Sequence, residues 1–377
     1  MAENTPAVRG IKNRLRAHKA FAALVCAALF SAAVYAVSRF SAPFAEFWAR
    51  YPGQAFRMIL AKITGVLPFS LAETLLLASP LLLAWVIAYA LAAYKTQPRK
   101  IHTLLRALIS VLLIVVITFC IGFGPCYFRY SLAENTRLAD EPVTGEPLYE
   151  TALWLTENIN ALIPQITFGE GGESHMRYSY YELVDRVNAA YEKYAAGNDY
   201  ISHFDCAVKP VSLSHYMTYT HISGVYAFFT GESNFNFNYP DFVVPYTVAH
   251  EMSHQRGIAR EDEANFVAFL VCSVSDDAYI RYSGCVNVLR EVTSALYKAD
   301  KTLYEEYRKK SYPSAVAKEM SAYSRFFDPY RESTAAKVVS ATNDTYLKTQ
   351  SVPAGAQSYG LVTDLAVAYY LTNIKGK

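Results

Sequence analysis

Beyond residue 125, the chain has no apolar run long enough to cross a membrane. Every hydrophobic stretch there is shorter than the roughly 20 residues that a spanning helix needs. A basic stripe is also missing, because residues 125–377 hold 22 Lys/Arg against 30 Asp/Glu, a net charge of −8. Binding to nucleic acid relies on clustered positive charge, so this balance argues against a nucleic-acid partner.

Cysteine is scarce, and its spacing does not suit zinc. The 377 residues include 6 cysteines, and no Cys-x-x-Cys pair occurs. A thiolate zinc site is therefore not predicted. Cys126, Cys206, Cys272 and Cys285 follow the apolar part, where an oxidising compartment would permit either two disulfides or free buried thiols.

Apolar residues concentrate in the first part of the chain. Residues 20–37, 71–93 and 104–124 form three runs with almost no charge, each near the length that spans a bilayer core. We predict three transmembrane helices in a membrane anchor that covers residues 1–125. Basic residues before the first run also fit a cleaved signal peptide, but its long apolar stretch favours an uncleaved anchor.

Positive charge sets the predicted orientation of this anchor. Residues 1–124 hold 13 Lys/Arg against 3 Asp/Glu, and these basic residues include five before the first run and three between the second and third runs. Because Lys and Arg mark the cytoplasmic side, the N-terminus is predicted to be cytoplasmic and residues 126–377 extracytoplasmic. The chain is thus predicted to be a multi-pass protein of the cell membrane, with the lipid bilayer as one partner.

The stretch between the first two runs mixes aromatic and basic residues. Residues 41–67 place Trp48 and Tyr51 near Arg50 and Arg57. This mixture is typical of a helix at the outer membrane surface, where aromatic residues form an anchoring belt. Delivery of a membrane-proximal substrate is the alternative interpretation.

Beyond residue 125, the hydrophobic periodicity is mainly that of helices. Apolar residues recur at 3.6-residue spacing in eight stretches, which we predict as helices. These are residues 148–163, 174–196, 245–255, 260–272, 277–309, 314–326, 335–343 and 361–370. Residues 209–238 are the exception, because Val211, Leu213 and the run 225–230 suggest short strands. The predicted fold class is mainly α with a small β region, and residues 126–377 form one predicted domain.

The most informative stretch of the chain is His250-Glu251-Met252-Ser253-His254. Histidines four residues apart lie on one face of a helix, so both imidazoles can bind one zinc ion. Glu251 stands beside them, where a carboxylate can take the proton of a metal-bound water. Pro245 suits the start of this helix and Gly257 its end. The spacing predicts a zinc site that supports metal-assisted hydrolysis.

A catalytic zinc site needs a third protein ligand and leaves one position open for water. The acidic start of the next predicted helix offers two candidates, Glu261 and Glu263. Glu263 also fits a plain negative charge at a helix N-terminus. Both carboxylates therefore stay open as the third ligand on the residues alone.

The stretch from Thr247 to Phe266 resembles the zincin metallopeptidases. Glu261-Asp262-Glu263-Ala264-Asn265 is similar to the Glu-x-x-Ala-Asp/Asn element that supplies the third ligand in gluzincin families. This resemblance favours Glu261 over Glu263, and it implies that Asn265 orients a ligating histidine. Arg256 departs from the pattern, because an apolar residue usually stands at that position. The implied zinc ligands are His250, His254 and Glu261, and the implied general base is Glu251.

The chain as a whole is also similar to a family of bacterial membrane-anchored proteins of unassigned function that carry both motifs. The zincin resemblance implies a helical zincin-like domain whose edge strand, here residues 224–230, pairs with an extended peptide. It also implies a hydrogen-bond donor opposite the metal, for which Tyr359 is the candidate. The predicted function is a membrane-anchored zinc metallopeptidase that cleaves a peptide or protein near the membrane surface. The alternatives are a non-catalytic membrane protein with a structural zinc site and an envelope binding or assembly factor.

Overall fold

Helices dominate the protein, which we describe from a computed structural model. The structure describes residues 6–94, 97–138, 143–350 and 362–375. The described strands are few and at most four residues long, so the mainly α fold class with a small β region is confirmed. The chain divides into two compact units. The first unit comprises Met1–Phe56 and Ala72–Arg129, and the second comprises Arg57–Leu71 and Tyr130–Lys377.

Long apolar helices form most of the first unit. The helices that begin before residue 130 are α1 (Pro6–Phe40), α2 (Ala42–Arg50), α3 (Pro52–Gly65), α4 (Leu71–Tyr94) and α5 (Pro98–Thr118). The last of these continues through a π-helical turn, Phe119–Phe123, and a 3-10 turn, Gly124–Tyr127. Three stretches are long and apolar enough to cross a membrane, namely His18–Phe40, Leu71–Tyr94 and Arg99–Tyr127. They overlap the three predicted runs and indicate membrane association.

A buried ion pair holds the short helix α2 in the first unit. The Arg129 guanidinium donates from Nε and Nη2 to the two carboxylate oxygens of Glu46, at 2.9 and 2.8 Å. Trp48 Nε1 donates to the carbonyl oxygen of Ile121 at 2.9 Å, within the π-helical turn. Burial raises the pKa of Glu46, but Arg129 and Arg50 outweigh it and lower the pKa overall. These bonds tie α2 to the end of the third apolar stretch.

Helices also make up most of the second unit. They are α6 (Leu132–Thr136), α7 (Gly145–Leu162), α8 (Tyr180–Ala195), α9 (Ser214–Thr218), α10 (Val244–Gln255), α11 (Glu261–Val274), α12 (Ala278–Ala299), α13 (Lys301–Lys310), α14 (Ser314–Phe327), α15 (Thr334–Thr349) and α16 (Val362–Asn373). Helices α7 and α12 pack against each other, and α10 packs against α11 and α12. The hydrophobic core therefore surrounds α10, the helix that carries the His-Glu-x-x-His motif.

Capping residues explain why the predicted bounds of two helices are wrong. The helix predicted over residues 174–196 begins only at α8, because Ser179 and Glu182 form a capping box there. The helix predicted over residues 277–309 divides into α12 and α13. Asp300 is extended at the junction, and its side chain accepts from the backbone N–H groups of the next turn. An N-cap in the middle of an apolar pattern thus starts a new helix.

Two small sheets complete the second unit. Strands β1 (Thr167–Phe168) and β2 (Ser174–His175) pair antiparallel. The second sheet has the order β3 (Val208–Pro210), β5 (Glu232–Phe235), β4 (Gly224–Ala227), with β5 parallel to β3 and antiparallel to β4. The predicted strand content around Leu213 is wrong in part, because α9 occupies that stretch. Strand β4 lies at an edge of its sheet and contacts α10.

Candidate metal centre

The helix α10 is buried along almost its whole length. Pro245 stands in its first turn, as the sequence predicts. The Tyr191 hydroxyl donates to the carbonyl oxygen of Ala249 at 2.6 Å and lies 2.7 Å from Ser253 Oγ. On strand β5, Ser233 Oγ donates to the carbonyl oxygen of Glu251 at 2.8 Å. Helix α8 and strand β5 therefore both hold the backbone of α10 in place.

A tight turn ends α10 and sends the chain into α11. Gly257 has a φ of +88°, the left-handed conformation that glycine adopts readily. Its N–H donates to the carbonyl oxygen of His254 at 2.9 Å, and the Ile258 N–H donates to that of Ser253 at 3.1 Å. This pair of bonds is a Schellman motif, so Gly257 ends the helix as predicted. The turn places Glu261, the first residue of α11, opposite the two histidines.

Three side chains from α10 and α11 converge on one point. Nε2 of His250 lies 3.2 Å from Oε2 of Glu261, and Nε2 of His254 lies 3.5 Å from the same oxygen. The three potential ligand atoms all lie within 4.8 Å of one another. The imidazole rings are perpendicular, with centroids 4.6 Å apart. Two nitrogens and one oxygen thus face a common centre.

Glu263 points away from this centre. Its Oε1 accepts from the backbone N–H of Leu132 at 2.9 Å and from Arg260 Nη1 at 3.3 Å. Of the two candidates for the third ligand, the structure therefore brings only Glu261 to the histidines. In helix α11, Glu261 thus faces α10, whereas Glu263 faces α6.

The donor set fits zinc. Two imidazole nitrogens and one carboxylate oxygen are the protein ligands of a catalytic zinc site with one open position. Nδ1 of His254 lies 2.7 Å from the carbonyl oxygen of Ile258, so this nitrogen donates a hydrogen bond and Nε2 is the ring nitrogen that faces Glu261. A ligating histidine in a zinc site is commonly oriented in this way by a carbonyl oxygen.

Burial and mutual charge shift the titration of these groups strongly. Burial lowers the pKa of His250, although Glu261 and the amide of Asn265 offset part of that effect. For His254, burial is outweighed by the Glu261 carboxylate, and the pKa rises to about 9. Burial alone would raise the pKa of Glu261, but the two imidazoles hold it well below its usual range. The carboxylate is thus kept ionised beside the histidines.

Glu251 lies next to this cluster and is held close by strand β4. It is 3 % exposed, and its Oε2 makes no hydrogen bond to any residue that the structure describes. Burial raises its pKa to about 8, even though His254 acts in the opposite direction. A Cβ atom at Gly224 would lie 2.5 Å from Oε1 of Glu251. The carboxylate therefore fills the space that the missing side chain of Gly224 leaves.

Arg256 fits the fold although it departs from the zincin pattern. Its guanidinium carbon lies 3.9 Å from the ring centroid of Tyr191 and 4.9 Å from that of Phe204. Nη2 donates to the carbonyl oxygen of Phe204 at 2.8 Å, and Nη1 donates to that of Met252 at 3.2 Å. A buried cation between two aromatic rings thus stands where an apolar side chain was expected.

Two residues that lie against the motif were missed from the sequence. The sequence pattern places Gly224 only in a strand that contacts substrate, and it places Arg57 in a helix at the membrane surface. Arg57 is instead 1 % exposed and lies in the second unit. No local pattern indicates either contact, because both join distant parts of the chain. Tyr359, the predicted oxyanion donor, lies outside the described residues.

The six cysteines take no part in this centre. All are free thiols, and the four that follow the apolar part are buried. Of the two possibilities left open by the sequence, the structure therefore shows free buried thiols. Burial raises the pKa of Cys285 to about 12, as expected for a thiol that stays protonated in an apolar environment.

Fold and cluster together define a helical, membrane-associated protein with a buried His-His-Glu group. The family model described as "Protein of unknown function (DUF3810)" matches residues 50–367. The chain belongs to this family, whose description names no activity, cofactor or substrate. No curated protein and no solved structure matches the chain.

Proposed function

We propose that the protein is a membrane-anchored zinc metallopeptidase. The observation that carries this proposal is the convergence of His250, His254 and Glu261 within 4.8 Å, with the buried carboxylate of Glu251 beside them. The resemblance to zincins supports the same assignment. The zinc ligands would be His250, His254 and Glu261, and the general base would be Glu251.

The chain's own residues account for most of the proposed reaction. Zinc bound there would supply Lewis-acid polarisation of an amide carbonyl and a water of lowered pKa. Glu251 receives the proton of the attacking water and passes it to the leaving nitrogen. Ile258 keeps Nδ1 of His254 protonated, so the ring presents Nε2 to the site. In this proposal Asn265 orients His250, as the resemblance to gluzincins implies.

Strand β4 supports a peptide as the substrate. It is an edge strand of its sheet, and Gly224 brings its backbone against the Glu251 carboxylate. The Tyr226 ring stacks over that of His254, with centroids 6.5 Å apart. An extended peptide that pairs with this edge would present an amide to Glu251. The predicted contact over residues 224–230 is therefore part of the proposal.

The proposed place of action is outside the cytoplasm and close to the membrane. The charge asymmetry between the two parts of the chain supports an N-terminus inside the cell and residues 126–377 outside. The three apolar helices would tether the site to the bilayer. The substrate would then be a peptide or protein at the membrane surface.

A structural zinc site without catalysis is the second candidate. The burial of the ligands favours it, because the side chains of His250, His254 and Glu261 are only 11, 7 and 13 % exposed. Structural zinc sites are closed to solvent, whereas catalytic ones keep an open position. An envelope binding or assembly factor without metal is the third candidate, and metal analysis distinguishes it from the other two.

The deciding experiment compares wild type with Glu251→Gln in the full-length protein. Zinc content and cleavage of a pool of internally quenched peptides are measured on the same preparations, with Glu263→Gln as the matched carboxylate control. We expect one zinc per chain in all three and loss of turnover in Glu251→Gln alone. Zinc in wild type without cleavage of any peptide would favour a structural site. Absence of zinc from wild type would overturn the proposal.

A further inference from the structure

We infer that Arg57 is a positioning residue of the metal centre and reaches it from the segment between the first two apolar helices. The inference rests on the proposed function, because it assigns a second layer of support to the same zinc ligands. Arg57 lies in Arg57–Leu71, the segment that belongs to the second unit although the chain places it between the first and second spans.

Arg57 binds the C-terminal end of α10. Its Nε donates to the carbonyl oxygen of Gln255 at 3.1 Å, and its Nη2 donates to that of Arg256 at 3.4 Å. The last carbonyl groups of a helix have no partner within the helix and carry partial negative charge. A buried guanidinium therefore satisfies two of these groups and complements the helix dipole.

The same guanidinium packs against the turn that follows α10. A Cβ atom at Gly257 would overlap the Arg57 guanidinium, so the two groups are in close contact. Gly257 leads into Ile258, whose carbonyl oxygen lies 2.7 Å from Nδ1 of His254. Arg57 thus fixes the turn, the turn fixes the Ile258 carbonyl, and the carbonyl fixes the ring of a proposed zinc ligand.

The far end of the segment is held independently. Lys209 Nζ donates to the carbonyl oxygen of Thr64 at 2.8 Å and to Oε1 of Glu232 at 2.5 Å. Oε1 of Glu232 also accepts from the backbone N–H of Leu71 at 3.0 Å. These bonds join the segment to strands β3 and β5 and do not reach the turn after α10. They provide a matched control for the role of Arg57.

The test measures zinc affinity and the visible spectrum of bound Co²⁺ in the full-length protein. Arg57→Gln is expected to weaken zinc binding about 10-fold, the lower end of the cost of removing a direct partner of a ligand, because Arg57 acts through the turn. It is also expected to change the Co²⁺ ligand-field bands. Arg57→Lys keeps the charge but loses the planar fork, so it is expected to recover part of the affinity.

The double variant Lys209→Met with Glu232→Gln is the control. It loosens the other end of the segment and is expected to lower the melting temperature while leaving zinc affinity and the Co²⁺ spectrum unchanged. If Arg57→Gln and the control lose thermal stability alike and both bind zinc as wild type does, Arg57 is structural only and the inference fails. If wild type itself binds no zinc or Co²⁺, the proposed function fails first.

Discussion

Glu261 and Glu319 are two shielded carboxylates on helices of the second unit, and their pKa values shift in opposite directions. Both helices carry the carboxylate out of solvent, so burial raises the pKa in each case. At Glu261 two imidazoles outweigh burial and lower the pKa overall. At Glu319 the hydrogen bonds from Ser174 and Tyr282 offset only part of the effect, and the pKa stays raised. Burial alone therefore does not distinguish a candidate metal ligand from a structural carboxyl group.

The side chains and backbone groups around each carboxylate distinguish Glu261 from Glu319. Glu319 accepts from the backbone N–H of Ser174 at 2.8 Å and from the hydroxyls of Ser174 and Tyr282. These donors engage both of its carboxylate oxygens. Oε2 of Glu261 instead faces Nε2 of His250 and of His254, which are themselves metal-binding atoms. Side chains whose nitrogen and oxygen atoms face a common point are suited to bind a cation. A carboxyl group whose two oxygens are hydrogen-bonded to the protein is suited to stabilise the fold.

The largest expected effect comes from removing the convergent carboxylate. Glu261→Ala should abolish stoichiometric zinc binding, because two imidazoles alone leave the site one protein ligand short. Glu263→Ala should retain zinc, since that side chain binds Leu132 and Arg260 instead. Zinc content after dialysis checks both variants. Equal zinc content in the two would contradict the assignment of Glu261 as the third ligand.

The next effect concerns the space beside Glu251. Gly224→Ala would place a Cβ atom 2.5 Å from the Glu251 carboxylate, which must then move. A displacement of about 1 Å at a catalytic group costs about 100-fold in rate, so kcat should fall by that order with zinc retained. Gly197→Ala is the matched control, because the nearest atom to a Cβ there would be the Tyr194 carbonyl oxygen at 4.0 Å. An unchanged kcat in Gly224→Ala would show that the position of Glu251 does not limit turnover.

A smaller effect, on stability rather than on zinc binding, is expected from replacing Glu319, and this effect depends on pH. The pKa of Glu319 in the folded protein is raised above its usual value of 4.5. The protonated side chain therefore stabilises the fold fully below pH 4.5, and this stabilisation is lost as the pH rises through the folded-state pKa. Asp241 also raises this pKa, and Tyr279 and Tyr282 are further titratable groups near Glu319. Glu319→Gln stays neutral, so it should be more stable than wild type at pH 7, where burial opposes ionisation of the wild-type carboxyl group.

The gain in Glu319→Gln should vanish towards pH 4, where the wild-type carboxyl group is protonated. Melting temperatures of the full-length protein at both pH values measure it, and Glu305→Gln is an exposed carboxylate control. A variant less stable than wild type at pH 7 would mean that the ionised form of Glu319 is needed for its hydrogen bonds.

How far the sequence predicts this site depends on the range of each contact. The motif helix, its glycine cap and the acidic start of α11 are local patterns, and the structure has each of them where predicted. The division at Asp300 was missed because an N-cap within an apolar pattern looks like a surface polar residue. The contact of Arg57 with Gln255 joins residues 198 positions apart, and no local pattern reports such a distance.

The smallest effect is expected from replacing His175, which lies near two carboxylates that do not face a common point with it. His175 lies 3.8 Å from Glu173 and 3.7 Å from Asp241, through different ring nitrogens, and its side chain is 50 % exposed. Solvent screens such pairs, so His175→Ala should change the free energy of unfolding by no more than about 0.5 kcal/mol. Zinc content should stay at the wild-type level, because the two carboxylates lie on opposite sides of the ring. Loss of zinc in this variant would contradict the assignment of the site to His250, His254 and Glu261. It would show that an exposed histidine between two carboxylates takes part in metal binding.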